Sequence, residues 1–292
     1  MYELIRVTPR FYYVDSPAKI GVYKISQREV CLIDSGNNRS AATKVLRVLE
    51  ENGFFVSAIF NTHAHADHTG GNRHIQQKTG CKIYASAEEL QGILHPIREP
   101  ISLFGARPMA ELRHGFLLAE ESRAEPLSDA VMPEGLSVLA LPGHTAGMVG
   151  FLSEDGAVYL ADALASETTL EKYGIPYVYD PAVYLETLKK IEKMEGKVFV
   201  PAHAAPVEDI APLARRNIES TEALMECILS LTAAPIGFDL LLKKIFDRYA
   251  LSMTVQQYAL VGSTVRSYLS CLADMGKIAA VCEKNALLWV KK

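Results

Sequence analysis

The chain has 292 residues, of which 49% are hydrophobic and 22% are charged, and its formal net charge is -4 at pH 7. These proportions are typical of a globular protein, and the length allows a full core in one large domain or two. The slightly acidic balance argues against a nucleic-acid polyanion as the main partner.

Targeting and redox features indicate a protein of the cell interior. No apolar stretch has the length of a membrane span, and the N-terminal segment lacks the basic and apolar regions of a signal peptide. The five cysteines are scattered, without a Cys-x-x-Cys pair, as expected for reduced thiols. We therefore expect a cytoplasmic protein without a membrane partner.

Hydrophobic periodicity predicts strands first and then strands alternating with helices, an order that occurs twice. The predicted strands cover residues 2–7, 11–14, 19–25, 29–34, 55–61, 81–84, 136–141, 148–152, 157–161 and 197–200. The predicted helices cover residues 39–51, 71–78, 86–94 and 181–194. This order predicts an α+β fold in which two mixed sheets pack between helices, an αββα sandwich.

After Pro206 the pattern becomes mostly helical. Helices are predicted over 208–231, 236–249 and 253–276, followed by a hairpin that turns near Lys284 and Asn285. We predict a main domain over 1–207 and a C-terminal, mostly helical, winged-helix-like domain over 208–292. Because basic and acidic residues nearly balance there, we expect this domain to cover the site or form a subunit interface, as in a homodimer, rather than bind nucleic acid.

The most informative segment is His63-Ala64-His65-Ala66-Asp67-His68. A core strand does not need three imidazoles in six positions, and a solvated surface would not lack Lys and Glu. Histidine is the commonest nitrogen ligand of zinc-like metals, and Asp is an oxygen ligand. The segment therefore predicts a metal site.

Other short apolar runs also end in a residue that can bind a metal. These residues are Asp34, His144, Asp162 and His203. Since strands that end this way deliver side chains to one sheet edge, we expect these residues to lie near the histidine segment. The remaining histidines lie on a helix or in a Pro-rich insertion, and no ligand role is expected for them. They are His74, His95 and His114.

This ordered series, from His63-x-His65-x-Asp67-His68 to Gly143-His144-Thr145, Asp162 and His203, resembles that of the metallo-β-lactamase-fold hydrolases. Asp34 matches the Asp that opens the family series, and the resemblance covers roughly residues 1–207. It points to a glyoxalase II-like or lactonase-like branch, and it implies the αββα fold as well.

The resemblance implies two divalent metal ions. One would be held by His63, His65 and His144, the other by Asp67, His68 and His203, and Asp162 would bridge them. Zinc is the expected metal, with iron or manganese as alternatives, because nitrogen and carboxylate ligands suit all three. Asp34 would anchor a ligand imidazole or the histidine loop.

Two such ions can share a hydroxide and lower its pKa towards neutrality, so the expected nucleophile is a bridging hydroxide that Asp67 helps to orient. We expect a dinuclear metal-dependent hydrolase of a carboxylic ester, thioester or lactone. The family's true β-lactamases have Cys or Ser at the position of Asp162, which argues against β-lactam hydrolysis. Three alternatives stay open: a phosphodiesterase of the nuclease branch, a mononuclear iron dioxygenase acting on persulfides, and a non-catalytic binding module.

Two segments are candidates for selecting a small-molecule substrate. The Pro-rich residues 95–133 have an apolar face and are expected to form a lid. Residues 173–180 contain Tyr173, Tyr177 and Tyr179, which would line the pocket or donate to an oxyanion. Packing of these tyrosines between the sheet and the C-terminal helices is the alternative.

Overall fold

A computed structural model describes residues 2–292, within which the strands form three sheets. The first sheet follows chain order and contains β1 (Leu4–Arg6), β2 (Phe11–Val14), β3 (Ile20–Lys24), β4 (Glu29–Ile33), β5 (Phe55–Phe60), β6 (Lys82–Ala85) and β7 (Glu125–Pro126). The second contains β8 (Leu136–Ala140), β9 (Val149–Ser153), β10 (Ala157–Ala161) and β11 (Val198–Pro201), in reverse chain order across the sheet. The third contains β12 (Ile236–Gly237), β13 (Ile278–Glu283) and β14 (Ala286–Lys291), with β14 in the centre.

The helices connect and cover these sheets. They are α1 (Arg39–Glu51), α2 (Ala66–Thr69), α3 (Asn72–Thr79), α4 (Ala87–Leu94), α5 (Arg98–Phe104), α6 (Glu167–Tyr173), α7 (Pro181–Ile191), α8 (Ala211–Leu231), α9 (Phe238–Arg248) and α10 (Val255–Asp274). Within residues 2–292, no helix combines the length and apolar character needed to cross a membrane.

Strand β4 shows how the layers form. Successive side chains of a strand point to opposite faces of its sheet. Accordingly, Val30 and Leu32 pack in the cluster formed with α1, whereas Cys31 and Ile33 pack in the cluster that reaches the second sheet. Helices α7 and α8 contribute to this second cluster from the far side. The predicted αββα sandwich is confirmed.

Parallel strand pairing places the ends of key strands together. Strands β4 and β5 pair in parallel, and so do β10 and β11. Asp34 follows β4, His63 lies just beyond β5, Asp162 follows β10 and His203 lies just beyond β11. Parallel strands bring their carboxyl ends to the same edge, so these side chains meet there.

The Pro-rich insertion contains more structure than its sequence predicts. Helix α5, two 3₁₀ turns and β7 lie within residues 95–133. Its Leu103, Leu112 and Leu117 pack in a small cluster with Ala259 of α10. The insertion therefore rests on the C-terminal helices, and these contacts come from tertiary packing that local periodicity does not reveal.

The predicted C-terminal helices are present as α8, α9 and α10, and the hairpin as β13 and β14. The hairpin turns at Lys284 and Asn285, which both have positive φ, as a two-residue type I′ turn requires. Strand β12, which was not predicted, extends the hairpin to a third strand. The C-terminal part shares one core with the second sheet, since Ile228 and Leu269 belong to the cluster that contains β10. The division into two domains at residue 207 stays a prediction.

Candidate metal centre

Metal-binding side chains converge in two adjacent groups at the ends of the strands. The first consists of His63, His65 and His144, and the second of Asp67, His68, Asp162 and His203. Within each group the ligand-type atoms lie within 4.8 Å of one another. The Asp162 carboxylate faces both groups, with Oδ2 3.6 Å from His144 Nε2 and Oδ1 3.3 Å from His68 Nε2.

The first group has a nitrogen arrangement that suits a cation. His65 Nδ1 lies 3.0 Å from His63 Nε2 and 3.1 Å from His144 Nε2. One ring nitrogen carries either one hydrogen or one lone pair, so hydrogen bonding cannot satisfy both neighbours at once. Two nitrogens on one tetrahedral zinc ion lie about 3.3 Å apart, because Zn–N bonds are about 2.0–2.1 Å. The three imidazoles therefore fit a shared metal ion.

The second group contains buried polar atoms without a partner. His68 Nε2 and Asp162 Oδ1 are both buried, and neither makes a hydrogen bond to a described residue. Leaving such an atom unpaired costs about 1–3 kcal/mol, and more for a charged group. A cation between these side chains would satisfy both atoms, so the residues of this group also fit a metal ion.

Four of the five imidazoles are oriented by a hydrogen bond from Nδ1, which leaves Nε2 directed into the site. The acceptors are Thr62 Oγ1 for His63 (3.0 Å), Asp34 Oδ2 for His68 (2.8 Å), the Tyr177 carbonyl for His144 (3.0 Å) and the Pro17 carbonyl for His203 (3.1 Å). An acceptor on the outer nitrogen fixes the tautomer and orients the ring of a metal-binding histidine. His65 instead turns Nδ1 inward, and its Nε2 lies 3.7 Å from Glu99 Oε2.

Asp34 forms hydrogen bonds with both ends of the loop at residues 62–68. Its carboxylate is buried and accepts hydrogen bonds from the Thr62 N–H (2.8 Å), the Thr62 hydroxyl (2.9 Å) and His68 Nδ1 (2.8 Å). Asp34 has φ of 67°, a left-handed conformation that Asp and Asn tolerate better than most residues. Asp34, which follows β4, thus orients the imidazole of His68 and also holds Thr62, the residue before His63.

The two groups differ in their electrostatics. Burial lowers the pKa of His63 well below its usual value and that of His144 to about 4, so the first group offers neutral imidazoles. In the second group, Asp162 raises the pKa of His203 to about 10. Burial also raises the pKa of Asp67, but His68 and His203 outweigh it and hold that pKa at about 2. The two carboxylates of the second group thus stabilise positive charge on its histidines, and a bound cation would take the place of those protons.

Glu89 is a functional candidate that the sequence analysis missed. Its buried carboxylate accepts hydrogen bonds from the Ala64 N–H (2.9 Å), the Thr145 hydroxyl (2.6 Å) and the Gly147 N–H (2.9 Å). It therefore ties the loop of the histidine segment to the loop of His144. A Glu in the first turn of a helix is usually explained by the helix dipole, so only its burial and contacts identify this role.

Replacing Glu89 with glutamine is expected to weaken both the fold and metal binding. The side-chain amide turns an NH₂ group towards at least one of the donors, at a cost of about 1–3 kcal/mol in the free energy of unfolding. Looser support of both loops should lower metal affinity about tenfold. Glu88→Gln, on the exposed side of α4, is the matched control. Chemical unfolding and metal titration measure the two effects, and equal metal affinities in both variants would contradict this role.

The three tyrosines of residues 173–180 do not all line the same cavity. Tyr173 and Tyr177 line the cavity that opens onto the metal-binding groups. Tyr179 does not: its side chain is 55% exposed and lies at a separate groove beside Arg266. The assignment of Tyr179 to the pocket is corrected, because the chain turns into α7 here and only the Tyr179 N–H approaches the site, at the Gly143 carbonyl.

The other histidines lie outside both groups. His74 Nε2 is 3.0 Å from the Thr43 hydroxyl on the surface, and His95 is exposed. His114 lies in the insertion, where its Nδ1 accepts a hydrogen bond from the Phe116 N–H. The expectation that none of the three is a ligand stays a prediction.

A two-sheet sandwich with clustered His and Asp side chains at its strand ends defines an αββα protein with a candidate metal centre. Residues 17–203 match the family model of the metallo-beta-lactamase superfamily, and the chain belongs to that superfamily. This confirms the family predicted from the ordered histidine and aspartate series.

Curated relatives cover part of the chain. A hydroxyacylglutathione hydrolase from Shewanella sp. (strain ANA-3) is 32% identical over 148 residues, which are 48% of this chain and 45% of that protein. An atrochrysone carboxyl ACP thioesterase from Aspergillus fumigatus is 25% identical over 201 residues, 65% of this chain and 52% of that protein. The chain thus spans about half the length of these relatives.

Solved structures share the fold over nearly the whole chain. A metallo-beta-lactamase family protein from Thermus thermophilus has a TM-score of 0.74 at 19% identity, over 97% of this chain and 99% of that chain. A beta-lactamase domain protein from Burkholderia ambifaria has a TM-score of 0.77 at 16% identity, over 99% of this chain and 93% of that chain. At these identities the likeness concerns the fold alone.

Proposed function

We propose that this protein is a metal-dependent hydrolase that holds two divalent ions and cleaves a carboxylic ester or thioester of a small molecule. The observation that carries the proposal is the position of Asp162 between two groups of ligand-type atoms, with His68 Nε2 and Asp162 Oδ1 buried and unpaired. The first group would hold one ion and the second group the other, with Asp162 shared. The chemistry of these side chains suits zinc, with iron or manganese as alternatives.

Divalent ions, when bound, supply Lewis acidity that lowers the pKa of water and polarises a carbonyl oxygen. The chain's own residues position the reactants around them. Asp67 is ionised at neutral pH and 29% exposed, and its Oδ2 lies 3.2 Å from His203 Nε2, so its carboxylate can accept a hydrogen bond from an attacking water and orient it. Burial raises the pKa of Tyr177, so its hydroxyl stays protonated and can donate to a developing oxyanion.

The comparisons support acyl chemistry. One relative is named as a hydrolase of hydroxyacylglutathione and another as a thioesterase. A phosphodiester substrate is less well supported, because none of the described residues that line the cavity is Lys or Arg. A mononuclear iron oxygenase is less well supported too, because it would leave one complete group of ligand-type atoms without a metal. The five cysteines, all unpaired, favour a reducing compartment such as the cytoplasm.

Metal loading combined with a substrate panel tests this proposal. Protein stripped by a chelator is titrated with zinc, manganese or ferrous iron, and the metal content per chain is measured. We expect about two ions per chain, and hydrolysis of thioesters, lactones or esters that returns with the metal, with little cleavage of a chromogenic phosphodiester. A protein that cannot be loaded would overturn the proposal, and a preference for the phosphodiester would overturn its acyl part.

A further inference from the structure

A cavity of about 450 Å³ begins at the candidate metal centre and ends among apolar side chains. Asp67, Asp162 and His203 lie at its polar end. Leu103 and Leu117 of the insertion form one wall, and Leu260 and Val261 of α10 form another. This volume is in the range of small-molecule sites, which are about 300–1,000 Å³.

The charges in the cavity disfavour ligands that carry carboxylate or phosphate groups. None of its described lining residues is Lys or Arg, and the one acidic lining residue outside the two metal-binding groups is Glu99. A substrate whose carboxylates or phosphates entered the part of this cavity away from the metal centre would lose hydration without gaining a lysine or arginine partner. A hydrocarbon chain would instead bury its surface against leucines and valine at no electrostatic cost.

A second depression lies on the other side of the same residues. It has a volume of about 430 Å³ and shares Asp67, Phe116 and His203 with the cavity. Its walls include polar residues, among them Ser16, Asn37 and Asn38. Both the cavity and this depression adjoin Asp67 and His203, so a carbonyl held at the metal centre would have the leucine-lined cavity beside it.

We propose that the substrate carries an uncharged hydrocarbon acyl chain, which fills the cavity beside the metal centre. The proposal rests on the proposed hydrolase function. The hydrocarbon of an acyl group begins next to the carbonyl carbon, so a carbonyl held at the centre places the start of that chain in the adjoining cavity. In the reaction, water oxygen bonds to the carbonyl carbon, the C–O or C–S bond breaks, and one water hydrogen goes to the leaving atom.

Acyl-chain length tests the proposal directly. Metal-loaded protein is assayed with N-acetylcysteamine thioesters of acetyl, butanoyl, hexanoyl and octanoyl groups. The adipoyl thioester, which has six carbons and a carboxylate at the end of its acyl chain, is the charged counterpart. Because each buried methylene is worth about 0.8 kcal/mol, kcat/KM should rise about fourfold per methylene until the cavity is full. A flat or falling series, or a preference for the adipoyl over the hexanoyl thioester, would overturn the proposal.

A matched pair of tryptophan variants tests whether the acyl chain lies in the cavity. Leu260→Trp fills the cavity and is expected to lower the octanoyl-to-acetyl ratio of kcat/KM at least tenfold. Leu240→Trp, at an exposed position on α9 outside the cavity, should leave the ratio unchanged. An unchanged ratio in the Leu260 variant would mean that the acyl chain lies elsewhere.

Binding without turnover separates this inference from the hydrolase function. The affinities of uncharged 2-alkanones, from butanone to decanone, are measured by calorimetry and should rise about fourfold per methylene. If ketone affinity rises with chain length but no ester or thioester is hydrolysed, the cavity binds hydrocarbon chains and the proposed hydrolase function is wrong. If the protein hydrolyses esters or thioesters but its ketone affinity does not change with chain length, the hydrolase function is retained and the acyl-chain proposal is wrong.

Discussion

Replacement of Asp162 by alanine is expected to lower kcat at least a thousandfold and to remove metal from the second group. Its Oδ1 lies 3.3 Å from His68 Nε2 and 3.4 Å from His203 Nε2, while its Oδ2 lies 3.6 Å from His144 Nε2. The carboxylate thus lies within 3.6 Å of ligand-type nitrogens of both groups. Loss of several kcal/mol of transition-state stabilisation by a metal ion corresponds to a thousandfold or more in rate.

The fold of the Asp162→Ala variant is expected to persist. Asp162 follows β10, whose Val158, Tyr159 and Leu160 are fully buried and unaffected by the change. The Asp162 side chain belongs to the site and contributes no apolar surface to that core. Circular dichroism and metal analysis, run beside the activity assay, distinguish loss of the centre from loss of the fold.

His95→Ala is the control for this experiment, because His95 is exposed and outside both groups. It should retain metal content and activity. If Asp162→Ala keeps both ions and its rate, Asp162 is not a shared ligand and the two-metal assignment is wrong. A loss of metal in His95→Ala would show that the ligand set was misassigned.

Local sequence patterns were sufficient to predict the sandwich and the place of the centre. The alternation in Val30-Cys31-Leu32-Ile33 assigns two side chains to each face of a buried strand, and the order of strands and helices along the chain predicts the layers. The ligand-type residues were found because each follows a strand, and strand ends meet wherever strands pair in parallel. The alternation within a strand and the position of a residue just after a strand can both be recognised from residues that are close together in the sequence.

The supporting contacts could not be predicted because they depend on distant segments. Glu89 reaches loops 25 and 56 residues away. His144 and His203 are oriented by the main-chain carbonyls of Tyr177 and Pro17, and a carbonyl leaves no side-chain signature. The apolar cavity likewise arises only when the insertion packs on α10, and Tyr179 was misplaced because its orientation depends on the turn into α7.

Asp34→Asn is expected to lower metal affinity 10- to 100-fold and to destabilise the metal-free protein. Asparagine retains the shape of the side chain and tolerates the positive φ of this position. Its NH₂ group, however, must face either the Thr62 N–H, or the Thr62 hydroxyl together with the Nδ1–H of His68, so at least one buried donor loses its acceptor. The cost is about 1–3 kcal/mol in the free energy of unfolding, and a freed His68 ring binds metal less tightly.

A pair of comparison variants separates charge from backbone effects. Asp34→Ala loses every hydrogen bond and adds left-handed strain of about 1–2 kcal/mol, so it should be less stable than Asp34→Asn. Asp180→Asn is the matched control, since Asp180 caps α7 by accepting from the Ala182 and Val183 N–H groups, and asparagine caps helices equally well. The control should leave metal affinity and stability unchanged.

Competition with a chromogenic chelator measures the metal affinity of these variants, and urea unfolding of the metal-free proteins measures their stability. The Asp34 carboxylate holds His68 Nδ1 at 2.8 Å, so affinity and stability should fall together in Asp34→Asn. If stability falls while metal affinity stays at the wild-type value, Asp34 supports only the loop, and the orientation of His68 must come from its burial in the surrounding core.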